Sequence, residues 1–470
     1  MNVDKIKEFF SEFFKRKLGI IGLGLLIFFI ILSILAPITA PLGLNEWILK
    51  DKWKDNPMLV PPEWFMYVTN QPYSSTKILN NYEYKENMLP GTNLYNVSAK
   101  IKYQYDFSGL PTAFIAYITV EYYQKDQGIY SLLHIKRPDG EIIDYSLTLS
   151  NSSKLRITDS DFQKIFYDWL SKKLGSDYLK SQGINSPENI LSGHILFSQL
   201  KEGILKPSTA EVLKGNYEFE LSLISTAPVK IKEYEIRIIG NSFGLMGTDG
   251  NKRDFWLGIV WGAPVALMIG FLTSLISVVI GIVYGTVSGY FGGKIDELMM
   301  RIVDVLLALP VFPILILLLV IAGPNRSIWI IIFLISIFGW MGLSRVARSI
   351  TLQLKETAFI ESIKALGASP FRIMFRHIMP QMLPYAYANL ALGVPGAILT
   401  EAGLSYLGLG DPTLPTWGQL LRHAIEVAAV QNGYWWLWVT PGLLIAGVSI
   451  AFVFIGHSID EILNPRIRRL

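Results

Sequence analysis

The chain has 470 residues, 51% of them hydrophobic and 17% charged, with a formal net charge of +4 and no cysteine. At a mean hydropathy of +0.36 it is too apolar for an ordinary soluble protein of this length and belongs in a bilayer. Without cysteine there are no disulfides, thiolate metal sites or thiol nucleophiles. The small net charge says less than its distribution along the chain.

A helix needs about 20 mainly apolar residues to cross the hydrocarbon. Six stretches, at roughly 18–36, 255–282, 302–322, 328–344, 383–403 and 436–456, meet that need. The first, "LGIIGLGLLIFFIILSILA", exceeds the apolar core of a cleaved signal and reads as a retained anchor. Lys5, Lys7, Lys15, Arg16 and Lys17 precede it, and Lys294, Arg301, the run from Arg345 to Arg376, and Arg466, Arg468 and Arg469 fall on the same side. The short loops opposite carry only Arg326 and Arg422, so both termini are expected in the cytoplasm of a plasma-membrane protein. Residues 1–41 are then a cytoplasmic N-terminus and first span, 42–240 an exterior domain within an outside segment reaching to about 250, and 241–470 the helical core.

Between the first two spans the membrane pattern gives way to period-two alternation, as in "KIKYQYDF", "AFIAYITVEYY" and "VKIKEYEIRII". A hairpin is expected where "PDG" lets Gly140 take positive φ. In "SDFQKIFYDWLSKKLG" a helix is predicted, opened by Ser160 and Gln163 at capping-box spacing, facing inward with Phe162, Ile165, Phe166 and Trp169, and closed at Gly175. The pattern predicts a mainly-β, sandwich-like domain with one packed helix, in which Tyr217 is placed as in the F strand of immunoglobulin-like sandwiches. Asn96, Asn151 and Asn325 begin glycosylation sequons. The domain reads equally as a brace over the membrane part or as a docking surface for a solute-binding protein. His134, His194, His377, His423 and His457 show no ligand spacing, and no metal is expected.

In the second span Gly258, Gly262, Ala266, Gly270 and Ser274, then Gly281, Gly285 and Gly289, recur every four residues, a ridge that admits a close neighbouring helix in this chain or another. Glu297, Arg301 and Asp304 lie on one helical face and read as a structural ion-pair network. Glu401, without an adjacent cation in sequence, reads either as lining a pathway or as exposed at the interface.

Residues 356–384 interrupt the apolar half with "ETAFIESIKALGASPFRIMFRHIMPQMLP". A helix over Thr357 to Leu366 should end at Gly367, and a second short helix should end at Pro380. The stretch resembles the EAA loop of ABC-transporter permeases, with Glu361, Gly367 and Pro380 holding its frame and Ser362, Ile363, His377 and Met379 departing from it. "GTDGNKRD", "GYFGGKIDELMMRIVDVLLALP", "SYLGLGDPTLPTWGQLL" and "WWLWVTPGLLI" extend the likeness to the C-type permeases of the dipeptide and oligopeptide importer family, though Lys252 stands where that family has glycine. The resemblance covers residues 245–470 and, loosely, the first 36, and leaves the exterior domain without a counterpart.

The apolar stretches give six transmembrane helices, and the resemblance implies an extracellular solute-binding protein, a second homologous permease and two ATP-binding subunits as partners, with no nucleic acid. It carries ATPase coupling onto Glu361, Ser362, Ile363, Ala365, Leu366, Gly367 and Pro380. The chain has no phosphate-cradling GxxxxGK motif, so no cofactor is expected in it; ATP and magnesium would be bound by the partner subunits. An oligosaccharide importer of the same architecture, an ion-driven carrier and a membrane-anchored receptor are the alternatives.

Overall fold

The protein's structure, a computed structural model, describes residues 3–39, 44–122, 129–147, 154–201, 203–324 and 326–463. The sequons at Asn151 and Asn325 and the basic residues Arg466, Arg468 and Arg469 fall outside them. Two compact units result, residues 1–49 with 255–470, and residues 50–254. The first begins with α1 (Val3–Phe14) and α2 (Lys17–Thr39).

The second unit contains β1 (Lys77–Leu79), β2 (Glu83–Met88), β3 (Tyr95–Tyr105), β4 (Ala113–Tyr122), β5 (Ile129–Lys136), β6 (Ile142–Leu147), β7 (Lys154–Ile157), the helix α3 (Asp159–Leu174), β8 (Gly215–Ser225) and β9 (Val229–Ile239). Its strands form two antiparallel sheets, ordered β1-β9-β4-β7 and β2-β3-β8-β5-β6. Alternate residues of both sheets, Val97, Ala99 and Ile101 in β3 and Phe114, Ala116 and Ile118 in β4 among them, meet in one core with Phe162, Phe166 and Leu170 of α3. The larger of these side chains, the valine, isoleucines, leucine and phenylalanines, each contribute about 1.5–3 kcal/mol on burial. The hairpin of β5 and β6 turns at Gly140 with φ +87°, as its sequence predicts.

The capping box of α3 starts earlier than expected. Thr158 is its N-cap, and the Asp161 carboxylate accepts the Thr158 N–H at 2.7 Å. Ser160 and Gln163 are already inside the helix; the Gln163 amide instead donates to the carbonyls of Glu188 and Ile190. Tyr217 is fully buried and its hydroxyl donates to the Leu213 carbonyl four residues back, at 2.9 Å. Burial pushes the Asp55 carboxyl up, but hydrogen bonds from Tyr117 and Arg156 and the charges of Arg156 and Arg237 hold it below its ordinary value on balance.

The unit ends later than the expected boundary at 240. The Phe243 N–H donates to Pro61 O at 3.0 Å, and Thr248 N–H to Val60 O at 3.0 Å, so residues 241–254 fold with the sheets. A turn forms at Lys252 although the residue is not glycine. Lys252 takes φ +62°, and Asp249 gathers the N–H groups of Asn251 and Arg253, each at 2.9 Å.

The helical unit resumes with α4 (Phe255–Phe291), α5 (Gly293–Ala308), α6 (Val311–Ile321), α7 (Ile328–Gly339), α8 (Met341–Lys355), α9 (Ala358–Ala365), α10 (Met379–Tyr406), α11 (Trp417–Glu426) and α12 (Trp436–Leu463). Four continuous helices, α2, α4, residues 370–406 and residues 436–462, are long and apolar enough to cross a membrane. The expected third and fourth spans are bent pairs, α5 with α6 at 83° and α7 with α8 at 42°, so the span count is four to six. The first bend has a local cause: Leu309 precedes Pro310, is pushed out of helical geometry, and sits at φ −80°, ψ 140°.

The glycine ridge of α4 meets neighbours within this chain. A Cβ added at Gly281, Gly285 or Gly289 would lie 2.9, 2.2 or 2.8 Å from the carbonyl oxygens of Trp340, Ser344 and Arg348. The helix α8 therefore lies backbone to backbone against α4, while Gly262 and Gly270 receive Trp417 and the side chains of Val394 and Ile398.

Candidate functional site

The loop between α8 and α10 is built on local hydrogen-bond logic. Thr357 is extended at the N-cap of α9, and the helix closes in a Schellman arrangement in which Gly367 N–H donates to Lys364 O at 3.0 Å and Ala368 N–H to Ile363 O at 3.3 Å. That closure needs the left-handed φ of +83° that Gly367 supplies. The second helix does not stop at Pro380 as the sequence suggests. Pro370–Ile373 passes through a π-turn, Met374–Ile378, into α10, with Pro380 in its first turn. Proline in a helix removes a donor and crowds the carbonyl four residues back; a π-turn just before it opens the ladder there.

Ile360, Ile373 and Ile378 are buried with Val278 and Ile282 of α4, Leu343 and Ala347 of α8, and Met382 and Ala386 of α10. Of the residues expected to couple to an ATPase, Glu361, Ser362, Ala365, Leu366, Gly367 and Pro380 are exposed and Ile363 is half-buried. Leu366 is 87% exposed and Phe359 58%, beside the exposed Lys364, Phe371 and Arg372. Within α9 only Ile360 is buried and Ile363 half-buried, so the helix is anchored along one edge and exposes its other side chains.

The ion pairs differ from those expected. Asp304 pairs with Arg345 of α8 rather than with Arg301, and Glu297 and Arg301 form no ion pair among the described residues. The cause is geometric. Asp296 and Asp304 lie about two helical turns apart on α5 and reach Arg348 and Arg345 of α8, whereas Glu297 and Arg301 reach no charged partner among the described residues. The Asp296 carboxylate accepts both Nε and Nη2 of Arg348 and the Ser288 hydroxyl, so one side chain joins α4, α5 and α8. Sequence reasoning missed Asp296. Its spacing to Asp304, read with Arg345 and Arg348 three residues apart, was the available signal, legible only once α5 and α8 are known to be neighbours.

Glu401 is not at an exposed interface. It is 3% exposed and accepts the Ser405 hydroxyl at 2.5 Å, under the close contact of Gly418 with the Ala402 backbone. It does not line the cavity of about 380 Å³ bounded by α4, α6, α7, α8 and α10, to which its neighbour Thr400 belongs. Asp411, which sequence reasoning passed over, caps α7 by accepting Ile328 N–H at 2.9 Å.

The family described as "Binding-protein-dependent transport system inner membrane component" matches residues 277–469. "N-terminal TM domain of oligopeptide transport permease C" matches residues 6–62. The dipeptide transport system permease protein DppC of Bacillus subtilis is 35% identical over 47% of this chain and 69% of its own. The chain belongs to the dipeptide and oligopeptide ABC-transporter permease family. The oligopeptide transport permeases OppC of Bacillus subtilis and Haemophilus influenzae are 34% and 36% identical to this permease, over 47% and 48% of it and 72% and 71% of their own lengths. A chain of the MetNI methionine ABC transporter is 19% identical, with a TM-score of 0.30, over 40% of the permease and 96% of that chain. Residues 63–276, and with them both β-sheets, fall outside the two family matches.

Proposed function

We propose that this permease forms half of the translocation pathway of an ATP-driven importer of peptides, the cargo named for its relatives. In this reading it spans the plasma membrane six times, both termini are cytoplasmic, and the β-rich unit is extracellular between the first two spans. ATP and magnesium are bound not by this chain but by two separate subunits seated on α9. A second homologous permease and a solute-binding protein complete the assembly.

The observation that carries the proposal is the exposed Leu366 and Phe359 beside Glu361, on a helix anchored through the buried Ile360 among α4, α8 and α10. A helix gripped on one side and packed on the other passes a push to the spans as a rigid-body displacement. Moving a two-state gate from 1:99 to 99:1 takes about 5.5 kcal/mol of differential binding.

The test is co-purification and uptake with Leu366→Asp. An exposed side chain can be changed without disturbing the fold, so the expected result is a permease of unchanged melting temperature that loses its ATPase partners and its ATP-driven peptide uptake. Retention of both, or uptake of oligosaccharides in place of peptides by the unaltered complex, would refute the corresponding part of the proposal.

A further inference from the structure

The cavity bounded by α4, α6, α7, α8 and α10 has a volume of about 380 Å³, within the range of about 300–1,000 Å³ found for small-molecule sites. Its walls are apolar except for a set of uncharged oxygen-bearing side chains, Thr273, Ser274 and Ser277 on α4 and Asn389 and Thr400 on α10. No charged side chain lines it.

The hydrogen bonds of these groups give the cavity a bias. Ser274 donates to Leu390 O at 2.8 Å, Ser277 to Ser336 O at 3.2 Å, Thr400 to Gly396 O at 2.7 Å, and the Asn389 amide nitrogen to Tyr385 O at 3.0 Å. Each has committed a proton to a helix carbonyl, so what it still offers is mainly lone pairs. Thr273 is the exception. It is 2% exposed, and its hydroxyl, buried, has no hydrogen-bond partner among the described residues. A buried hydroxyl without a partner is costly, and at a cavity wall that cost is relieved by a polar occupant.

We infer that this cavity is a solute subsite of the permease that takes an uncharged, N–H-bearing part of the cargo, such as the backbone amides of a short peptide. The inference rests on the import function proposed above and adds where this chain touches the solute and by which chemistry. An ammonium or carboxylate group would enter without a counter-charge, at a large desolvation cost. An acyl chain or an apolar knob from a neighbouring helix would leave the Thr273 hydroxyl unpaired. An amide N–H satisfies the lone pairs, and an amide carbonyl can accept from Thr273.

The geometry supplies its own test. Gly396 lines the cavity, yet a Cβ built on it meets no atom within 4 Å. Gly396→Leu therefore starts a bulky side chain from an open position at the cavity wall and exchanges a poor helix former for a good one. Gly442 of α12 has the same open surroundings and does not line the cavity, so Gly442→Leu is the matched control.

The complete transporter is reconstituted in liposomes, and ATP-driven uptake of radiolabelled trialanine is followed alongside the melting temperature. Gly396→Leu is expected to keep its melting temperature and lose uptake by at least about tenfold, while Gly442→Leu keeps both, since blocking a binding site acts through the solute. Thr273→Val, which keeps the shape and removes the hydroxyl, should raise the trialanine KM by at least about fivefold, and N-methylation of the peptide bonds, which removes the N–H groups offered to the other side chains, should raise the KM of wild type and variant alike.

Because the chain has no cysteine, Thr400→Cys places a single thiol at the cavity. N-ethylmaleimide should label it, and trialanine should slow that labelling. Uptake by Gly396→Leu equal to wild type, or labelling that trialanine does not slow, overturns the subsite while leaving the import function standing. Absence of any peptide uptake by the wild-type complex overturns the import function, and the subsite with it.

Discussion

Replacing Gly285 by alanine tests how closely α4 and α8 are packed. The added Cβ would lie 2.2 Å from Ser344 O, 2.7 Å from Ala347 Cβ and 2.8 Å from Arg348 N, where ordinary contact begins at 3.4 Å. Two of those three atoms are backbone, so relief requires the helices to part by about 1.2 Å at that point. Overpacking of this kind costs about 1–3 kcal/mol, and backbone that cannot rotate aside puts Gly285 at the upper end. Alanine returns about 1 kcal/mol of helix propensity, which leaves a net loss of about 2 kcal/mol. At about 2–4 °C per kcal/mol, the melting temperature of the purified permease should fall by about 4–8 °C. The control is Gly396→Ala, where nothing lies within 4 Å and only the propensity gain applies. Were Gly285→Ala to melt at or above the wild-type temperature, the backbone-to-backbone contact would be refuted.

Three further outcomes follow from other parts of the molecule. Gly367→Pro forces φ to about −65° and removes the N–H given to Lys364, a change worth about 3 kcal/mol locally; ATP hydrolysis by the assembled transporter should continue while uptake stops, as paired assays of the two rates will report. Lys252→Gly relieves a left-handed φ of +62° and should stabilise the β-rich unit by about 1 kcal/mol in thermal or denaturant unfolding. Burial holds the His194 imidazole below its ordinary value of 6.5, which the hydrogen bond to Ile204 only partly offsets. A depressed folded value means that the stability is fully present above pH 6.5 and lost as pH falls toward the folded value. The β-rich unit should therefore melt at lower temperature at pH 5 than at pH 7.5, and His194→Asn should flatten that dependence.

The features readable from sequence were those with a local cause. The end of α9 was legible because Gly367 alone can take the left-handed turn, and the hairpin at Gly140 for the same reason. The apolar lengths of α2, α4 and α12 announced themselves by composition. What stayed hidden depended on neighbours. The bend of α5 against α6 follows from Pro310, but its size depends on packing around it. The run through Pro380 needed a π-turn with no marker in sequence, and the cap of α3 fell to Thr158 because Asp161, not Gln163, reached back to it. For the same reason the acidic partner of Arg348 stayed hidden: Asp296 and Arg348 are 52 positions apart, and no periodicity within one helix can join them. The exposure of Leu366 and the burial of Glu401 were likewise not legible in the sequence.

The segments by which the β-rich unit begins and ends run side by side. The Asn56 amide donates to Lys252 O at 3.1 Å and the Lys252 ammonium to Lys54 O at 3.2 Å, with Leu59, Val60, Thr248 and Asp249 continuing the zipper. A module whose two ends meet can be spliced into a single joint of a host, as circular permutants and grafted domains are, without asking the host to change its path. The segment between Lys54 and Lys252 thus enters and leaves at one joint, and just outside those two residues is where a shortened version of the protein should be cut.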